Sequence, residues 1–226
     1  MADNTLSILT PSVNNLAARV FVRAAGLDFE EVDVWGKKEE PPFVDKDPST
    51  LTPFLEESGL PKAGLWESCA IMQYLANKHG LDEYYPTDPA ERAMVDSAMF
   101  YLVGTIYPLV ARATYPTLGF PQYAGEVATS EADDAMKEQA VRDATEALAM
   151  PLEAYNKQFL EGKKMIGGEK PTIADIRLAV TLEFLDAIDY DLPAWAKEHK
   201  EAVESALGEA YTEPATQVRE FVASVK

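Results

Sequence analysis

The chain has 226 residues, 47% of them hydrophobic, which is enough apolar material for a sizeable core and excludes disorder for most of its length. Its formal net charge of −18, with Lys37-Lys38 and Lys163-Lys164 as the only paired basic steps, argues against a nucleic-acid partner and against an anionic membrane face. A single cysteine, Cys69, excludes an internal disulfide or a CxxC pair, and two histidines 120 positions apart give no metal motif, so no metal is expected.

The opening MADNTLSILTPS has neither a basic nor a long apolar leader pattern, so a cytoplasmic location is expected. Leu6-Ser-Ile-Leu9 predicts a short strand stopped by Thr10-Pro11. Leu16, Val20, Phe21 and Ala24 then recur at helical spacing, with Gly26 placed to end that helix. Phe29 to Val34 alternates apolar with acidic residues, the pattern of a half-buried strand. Residues 35–50 have no period and several breakers, and read as irregular chain able to fold over a ligand. Pro53 to Glu57, Ser58-Gly59 and Leu65-Trp66 predict a hairpin. Proline at 53 requires its strand to sit at an edge or to begin there. Ala70, Ile71, Tyr74 and Leu75 then form a helix face ending near Gly80. The order β-α-β, β-β-α describes a small mixed α/β unit over residues 1–80.

Residues 81–89 read as a linker, and residues 90–226 as an all-helical domain. Met94 to Tyr107 keep helical spacing for more than three turns, with Pro108 expected to bend the run. Further helices are predicted over about 131–160, from about Thr172 onward, and over 194–206 and 214–224. Thr172 and Asp175 carry the spacing of a capping box, in which each side chain serves the other's backbone amide, so their role is read as structural.

Two places gather groups suited to a ligand. Ser12 follows Pro11 at the end of the first strand and heads the first helix, where unpaired amides favour anions; it either caps the helix or offers its hydroxyl outward. Glu67-Ser68 opens the next helix in the same way, either as an acidic first turn with its cap or as a grip on a zwitterionic end. No GxSxG elbow accompanies Ser12, which disfavours a serine hydrolase.

Ser12 with Gly26, Asp47-Pro48 through Thr52-Pro53-Phe-Leu55, Glu67-Ser68 through Tyr74-Leu75 and Ile166-Gly-Gly through Thr172-Ile-Ala-Asp175, in that order and spacing, resemble the cytosolic glutathione transferase family over nearly the whole chain. Tyr85-Pro-Thr-Asp88 through Asp96, with Gly104 through Pro108, look most like its serine-dependent delta and theta classes. The resemblance implies a thioredoxin-like first domain binding reduced glutathione as co-substrate, followed by a helical domain that adds the electrophile site. On it, Ser12 would donate to the glutathione sulfur. Thr52, before a proline that the family holds cis at Pro53, would pair with the cysteinyl part, with Thr50 nearby, and Glu67 and Ser68 would grip the γ-glutamyl end. Val13, Asn14, Tyr107, Ala111, Tyr115 and Phe120 would line the site for a small hydrophobic electrophile, although Tyr107 and Tyr115 also suit simple core packing. A homodimer is implied, with weak organic hydroperoxide reduction as a second reaction. The chain departs from the family's pattern at Thr50, Cys69 and Leu16, where cationic or longer side chains are common, and Lys37, Lys38 and Lys46 are the available substitutes. That loss is the best support for the rival reading, a non-catalytic binding module on the same scaffold.

Overall fold

A computed structural model describes residues 4–62, 64–120 and 131–226. Strands β1 (Asn4–Ile8), β2 (Glu30–Asp33), β3 (Phe54–Glu57) and β4 (Leu65–Trp66) form one mixed sheet in the order β2-β1-β3-β4. The β1–β2 pair is parallel, joined by helix α1 (Val13–Ala24), while β3 runs antiparallel to both β1 and β4. Because β3 lies inside the sheet, the second of the two options for Pro53 holds: the strand begins immediately after it.

The predicted half-buried strand near residues 29–34 is instead a mostly exposed edge, with Val32 36% exposed. Its half-buried position is Glu31, which receives Nε of Arg19 at 2.8 Å and Nε of Arg23 at 2.9 Å from α1. Ion pairing thus replaces apolar packing on that edge. Residues 35–50 are less irregular than expected, since a one-turn helix α2 (Phe43–Lys46) interrupts them and seats Phe43 edge-on to Phe54.

Helix α3 (Ser68–His79) ends on Gly80, whose φ of +63° is the left-handed turn that closes a helix. Asp88 caps α4 (Pro89–Tyr101), its carboxylate accepting from the amides of Ala90 and Glu91. The expected bend at Pro108 takes a different form. Lacking an N–H, Pro108 cannot bond the carbonyl four residues back, and the backbone widens into a π-helical turn at Leu102–Ile106 before continuing as α5 (Tyr107–Leu118). The resulting 30-residue run is long and apolar enough by composition to span a bilayer, yet α5 packs on α6 (Asp134–Tyr155) and on a 3-10 turn at Glu183–Ile188. Helices α7 (Ile173–Leu182), α8 (Ala194–Leu207) and α9 (Glu209–Val225) complete the array.

Two elements hold the halves together. Every residue of α7 is buried, and so are nine consecutive or near-consecutive residues of α1 from Val13 to Val22. Helix α1 packs on α3, α7 and α9, so one apolar core runs from Leu6 and Ile8 in the sheet to Val218 and Val222 in α9.

Candidate functional site

Strand direction decides which residues meet. Ser7 of β1 lies opposite Phe54 of β3, and Phe54 lies opposite Trp66 of β4. The chain leaving β1, the chain entering β3 and the chain leaving β4 therefore emerge at one end of the sheet. Ser12, Thr52-Pro53 and Glu67-Ser68 sit on these three segments, so the topology brings the separated motifs to one rim.

Ser12 occupies the N-cap of α1 with extended backbone (φ −84°, ψ 127°), yet its side chain makes no capping hydrogen bond. Its amide donates to the carbonyl of Leu9 at 3.0 Å, which folds the turn and leaves the half-buried hydroxyl beside the helix's unpaired first amides. Three residues on, Asn15 donates from Nδ2 to Oγ1 of Thr52 at 3.1 Å, tying α1 to the segment before β3. The Thr52–Pro53 peptide is cis.

Glu67 is exposed and adopts φ +72°, ψ 111°, a conformation that costs a residue with a Cβ about 1–3 kcal/mol and recurs at binding sites. Thr50 also has positive φ, +53°, and its carbonyl accepts from Nζ of Lys38 at 3.1 Å. Among the three candidate lysines the fold separates the roles: Lys46 is paired with Glu56 at 2.7 Å, Lys37 is exposed, and Lys38 alone bonds into the rim. Ser68 is buried next to Cys69 at the start of α3. Leu16 is fully buried in the core.

The helical side supplies a polar chain and an aromatic wall. Asn14 donates from Nδ2 to the hydroxyl of Tyr107 at 2.7 Å, and that hydroxyl lies 2.8 Å from the hydroxyl of Tyr115. Tyr115 meets Phe120 edge-on, Phe120 stacks on Phe221 of α9, and Trp35, 49% exposed in the segment after β2, leans on both phenylalanines. Val13 and Ala111 are fully buried in the core. Trp35 and Phe221 have no local signal in the sequence; they meet only because the fold brings α9 against the segment after β2.

A residue that sequence reasoning passed over is central. Arg177 of α7 is 1% exposed, and its guanidinium donates to Oδ1 of Asn14 and to Oγ1 of Thr181. It also lies 5.0 Å from the centre of the Tyr107 ring. Burial pushes the Cys69 thiol above its ordinary range, and the nearby Arg177 charge works against that.

Thr172 and Asp175 form the full capping box. The Asp175 carboxylate, completely buried, also accepts from the amides of Ile166 at 2.8 Å and Gly167 at 3.3 Å, fastening the preceding loop to the helix start. Gly167 is required there, because a Cβ would lie 2.1 Å from the carbonyl oxygen of Lys170. His199 of α8 reaches the carbonyls of Lys164 and Asp175, so this histidine staples the same junction.

Comparison with known proteins adds to this geometry. Residues 5–77 match the family description "Glutathione S-transferase, N-terminal domain" and residues 138–209 match "Glutathione S-transferase, C-terminal domain". The Drosophila melanogaster protein named glutathione S-transferase D6 is 27% identical over 188 residues, covering 81% of this chain and 78% of the relative. A Bombyx mori glutathione transferase superposes with a TM-score of 0.77 at 26% identity, covering 100% of this chain and 99% of that one. The fold alone is shared with human glutathione S-transferase T1-1, with a TM-score of 0.82 at 22% identity over 97% of this chain and 91% of that one.

Proposed function

This chain belongs to the glutathione S-transferase family, with delta- and theta-class enzymes among its structural neighbours, and we propose that it joins the sulfur of reduced glutathione to small hydrophobic electrophiles. The observation that carries the proposal is the convergence of Ser12, Thr52 and Glu67-Ser68 at one rim of the sheet, with the Ser12 hydroxyl released from capping duty.

In this reading glutathione lies along the rim. Glu67 takes the ammonium of the γ-glutamyl end, and Ser68 with the first amides of α3 takes its carboxylate. Thr52 pairs through its backbone with the cysteinyl residue, and Lys38, already bonded to the Thr50 carbonyl, meets the glycine carboxylate. The sulfur then rests at Ser12 and the N-terminus of α1. A free thiol has a pKa of about 8.5, and lowering it to about 6.5 takes roughly 2.7 kcal/mol of preferential thiolate stabilisation. One neutral hydroxyl supplies about 1–2 kcal/mol and a helix end about 0.3–1 kcal/mol. Ser12 is accordingly a donor that steadies the anion and aims it, with no need of a base. The thiolate attacks the electrophilic carbon, a carbon–sulfur bond forms, and the leaving group departs or a strained ring opens. Tyr115, Phe120 and the Trp35–Phe221 pair offer apolar ring faces to that substrate.

Ser12→Ala is expected to slow conjugation at least tenfold while glutathione affinity changes little, across aryl halides, epoxides and isothiocyanates. Organic hydroperoxides belong in the same panel, since the same thiolate would reduce them weakly. Equal rates for the two proteins remove Ser12 from the mechanism. The family reading extends to a cytoplasmic homodimer. With a net charge of −18 the self-association should strengthen as salt is raised, which sedimentation at two salt concentrations checks.

A further inference from the structure

Arg177 is buried to 1% exposure, and no carboxylate among the described residues lies within ion-pair distance of it. Its partners are all neutral: an asparagine carbonyl, a threonine hydroxyl, an aromatic face and a thiol. Among the described residues its Nε finds no acceptor. A guanidinium stays charged in any protein environment, so the desolvation of this one is repaid only in part. The chain holds 38 acidic residues, and Arg19, the other buried arginine among the described residues, is given a glutamate. Leaving Arg177 without one, between α1 and α5, keeps an uncancelled positive charge behind the rim of the sheet.

Its bonds say where that charge acts. Asn14, held by Arg177, stands in the first turn of α1 two residues beyond Ser12 and passes a hydrogen bond on to Tyr107 and through it to Tyr115. One side chain therefore fixes the start of the helix that would face the sulfur and the first residues of the electrophile wall. Resting on the transferase reading above, we propose that Arg177 is a positioning residue for that reaction, orienting Asn14 and Tyr107 and lending its positive charge to the thiolate held at Ser12.

The groups facing Arg177 do not cancel it. Asn14 from α1 and Thr181 from α7 are neutral, burial pushes the Cys69 thiol of α3 up, and the carboxylate of Glu67, whose charge also reaches that thiol, lies exposed at the rim. Tyr107 of α5 presents its ring face. Asp175, two residues earlier on α7, turns its carboxylate to the amides of Ile166, Gly167 and Thr172, with Nδ1 of His199 from α8 3.9 Å away.

The test is a pH titration of the ultraviolet thiolate absorbance of the glutathione complex, together with the pH profile of kcat, in the parent, Arg177→Met and Arg177→Lys. Arg177→Met should raise both midpoints by about one pH unit, a tenfold loss of thiolate in the acid limb, with the glutathione KM moving less than about threefold. Arg177→Lys, which keeps the charge, should hold the midpoint within about 0.3 units of the parent. A folded Arg177→Met protein with an unmoved midpoint overturns the proposal, and so does an equal shift in both variants, which would mark a packing effect. Should Arg177→Met not fold, Arg177→Gln replaces it with the same expectation; failure of both to fold makes Arg177 structural. A parent that binds no glutathione up to about 10 mM refutes the transferase reading itself and this inference with it, an outcome distinct from binding with an unmoved midpoint.

Discussion

Helix α7 and the turn that continues it treat two buried charges in opposite ways. Glu183, 1% exposed, accepts from Nη2 of Arg219 at 2.7 Å and the Tyr211 hydroxyl at 2.9 Å, with Nζ of Lys200 at 2.9 Å. Arg177, six residues earlier and equally buried, has only neutral partners among the described residues. Both groups bear the cost of leaving water, and only one recovers it from an opposite charge. The first arrangement serves packing between α8, α9 and the helical core. The second leaves a field directed at neighbours, which is useful only where another charge comes and goes.

A third buried charge on the same helix sets the scale for the first kind. Asp175 is satisfied wholly by hydrogen-bond donors, among them the amides of Ile166, Gly167 and Thr172 and the Thr172 hydroxyl. Asp175→Ala strands several buried donors at about 1–3 kcal/mol each and removes the box, so urea unfolding should show a loss of about 4 kcal/mol or more. A loss below about 1 kcal/mol would mean that the loop before α7 finds other acceptors, and the contrast with Arg177 would weaken.

The paired cluster ranks next. Glu183→Gln leaves Arg219 with Glu204 at 2.8 and 2.9 Å but leaves Lys200, among the described residues, with only the more distant carboxylate of Asp186 at 3.7 Å; an expected cost of about 2–3 kcal/mol follows. The effect has a pH signature. Burial tends to push the Glu183 carboxyl up, but the hydrogen bond from Arg219 and the charges of Lys200 and Arg219 together outweigh it and hold the group below its ordinary range. A carboxylate depressed by folding contributes stability above its unfolded pKa of about 4.3, and that contribution disappears as pH falls through the folded value. The stability gap between parent and Glu183→Gln should therefore be constant near neutral pH and shrink only in acid below about pH 4. A gap that narrows between roughly pH 8 and 6 contradicts this account. By contrast, substitution of Arg177 by methionine should leave stability unchanged or raised, because an uncompensated charge leaves the core.

What could be read from the sequence follows the same division. Ser12, Glu67-Ser68 and the Thr172–Asp175 box are local signals, each written within a few residues at the start of a helix, and the fold places each where its spacing said. Two proline effects were also legible in part, the strand beginning after Pro53 and the disturbance near Pro108, although a π-helical turn rather than a kink was the answer. Arg177 was not legible, because its meaning lies in a bond to Asn14 across 163 positions and in the lack of a carboxylate at ion-pair distance among the described residues. That Lys38 bonds to the Thr50 carbonyl while Lys46 pairs with Glu56 needed the folded positions of Thr50 and Glu56, and the meeting of Trp35 with Phe221 needed the docking of α9. The expectation of a half-buried strand over residues 29–34 fails because alternating acids and apolar residues look alike whether the acid faces water or, as at Glu31, two arginines.

The smallest expected effect separates strain from binding at the rim. Glu67 holds φ +72° with no side-chain capping bond to repay it, whereas glycine adopts such a backbone freely. Glu67→Gly should therefore stabilise the fold, the relief of strain exceeding the extra entropy of glycine in the unfolded chain by up to about 1 kcal/mol. It should also weaken glutathione binding at least tenfold, since the proposed partner of the γ-glutamyl ammonium is gone. Glu67→Gln keeps the Cβ and the strain while removing the charge, so it should lose the same affinity without any gain in melting temperature. If the two variants melt together, the left-handed backbone at 67 stores no recoverable strain; if both bind glutathione as the parent does, the rim holds its ligand without this carboxylate, and the grip lies with Ser68 and the amides of α3.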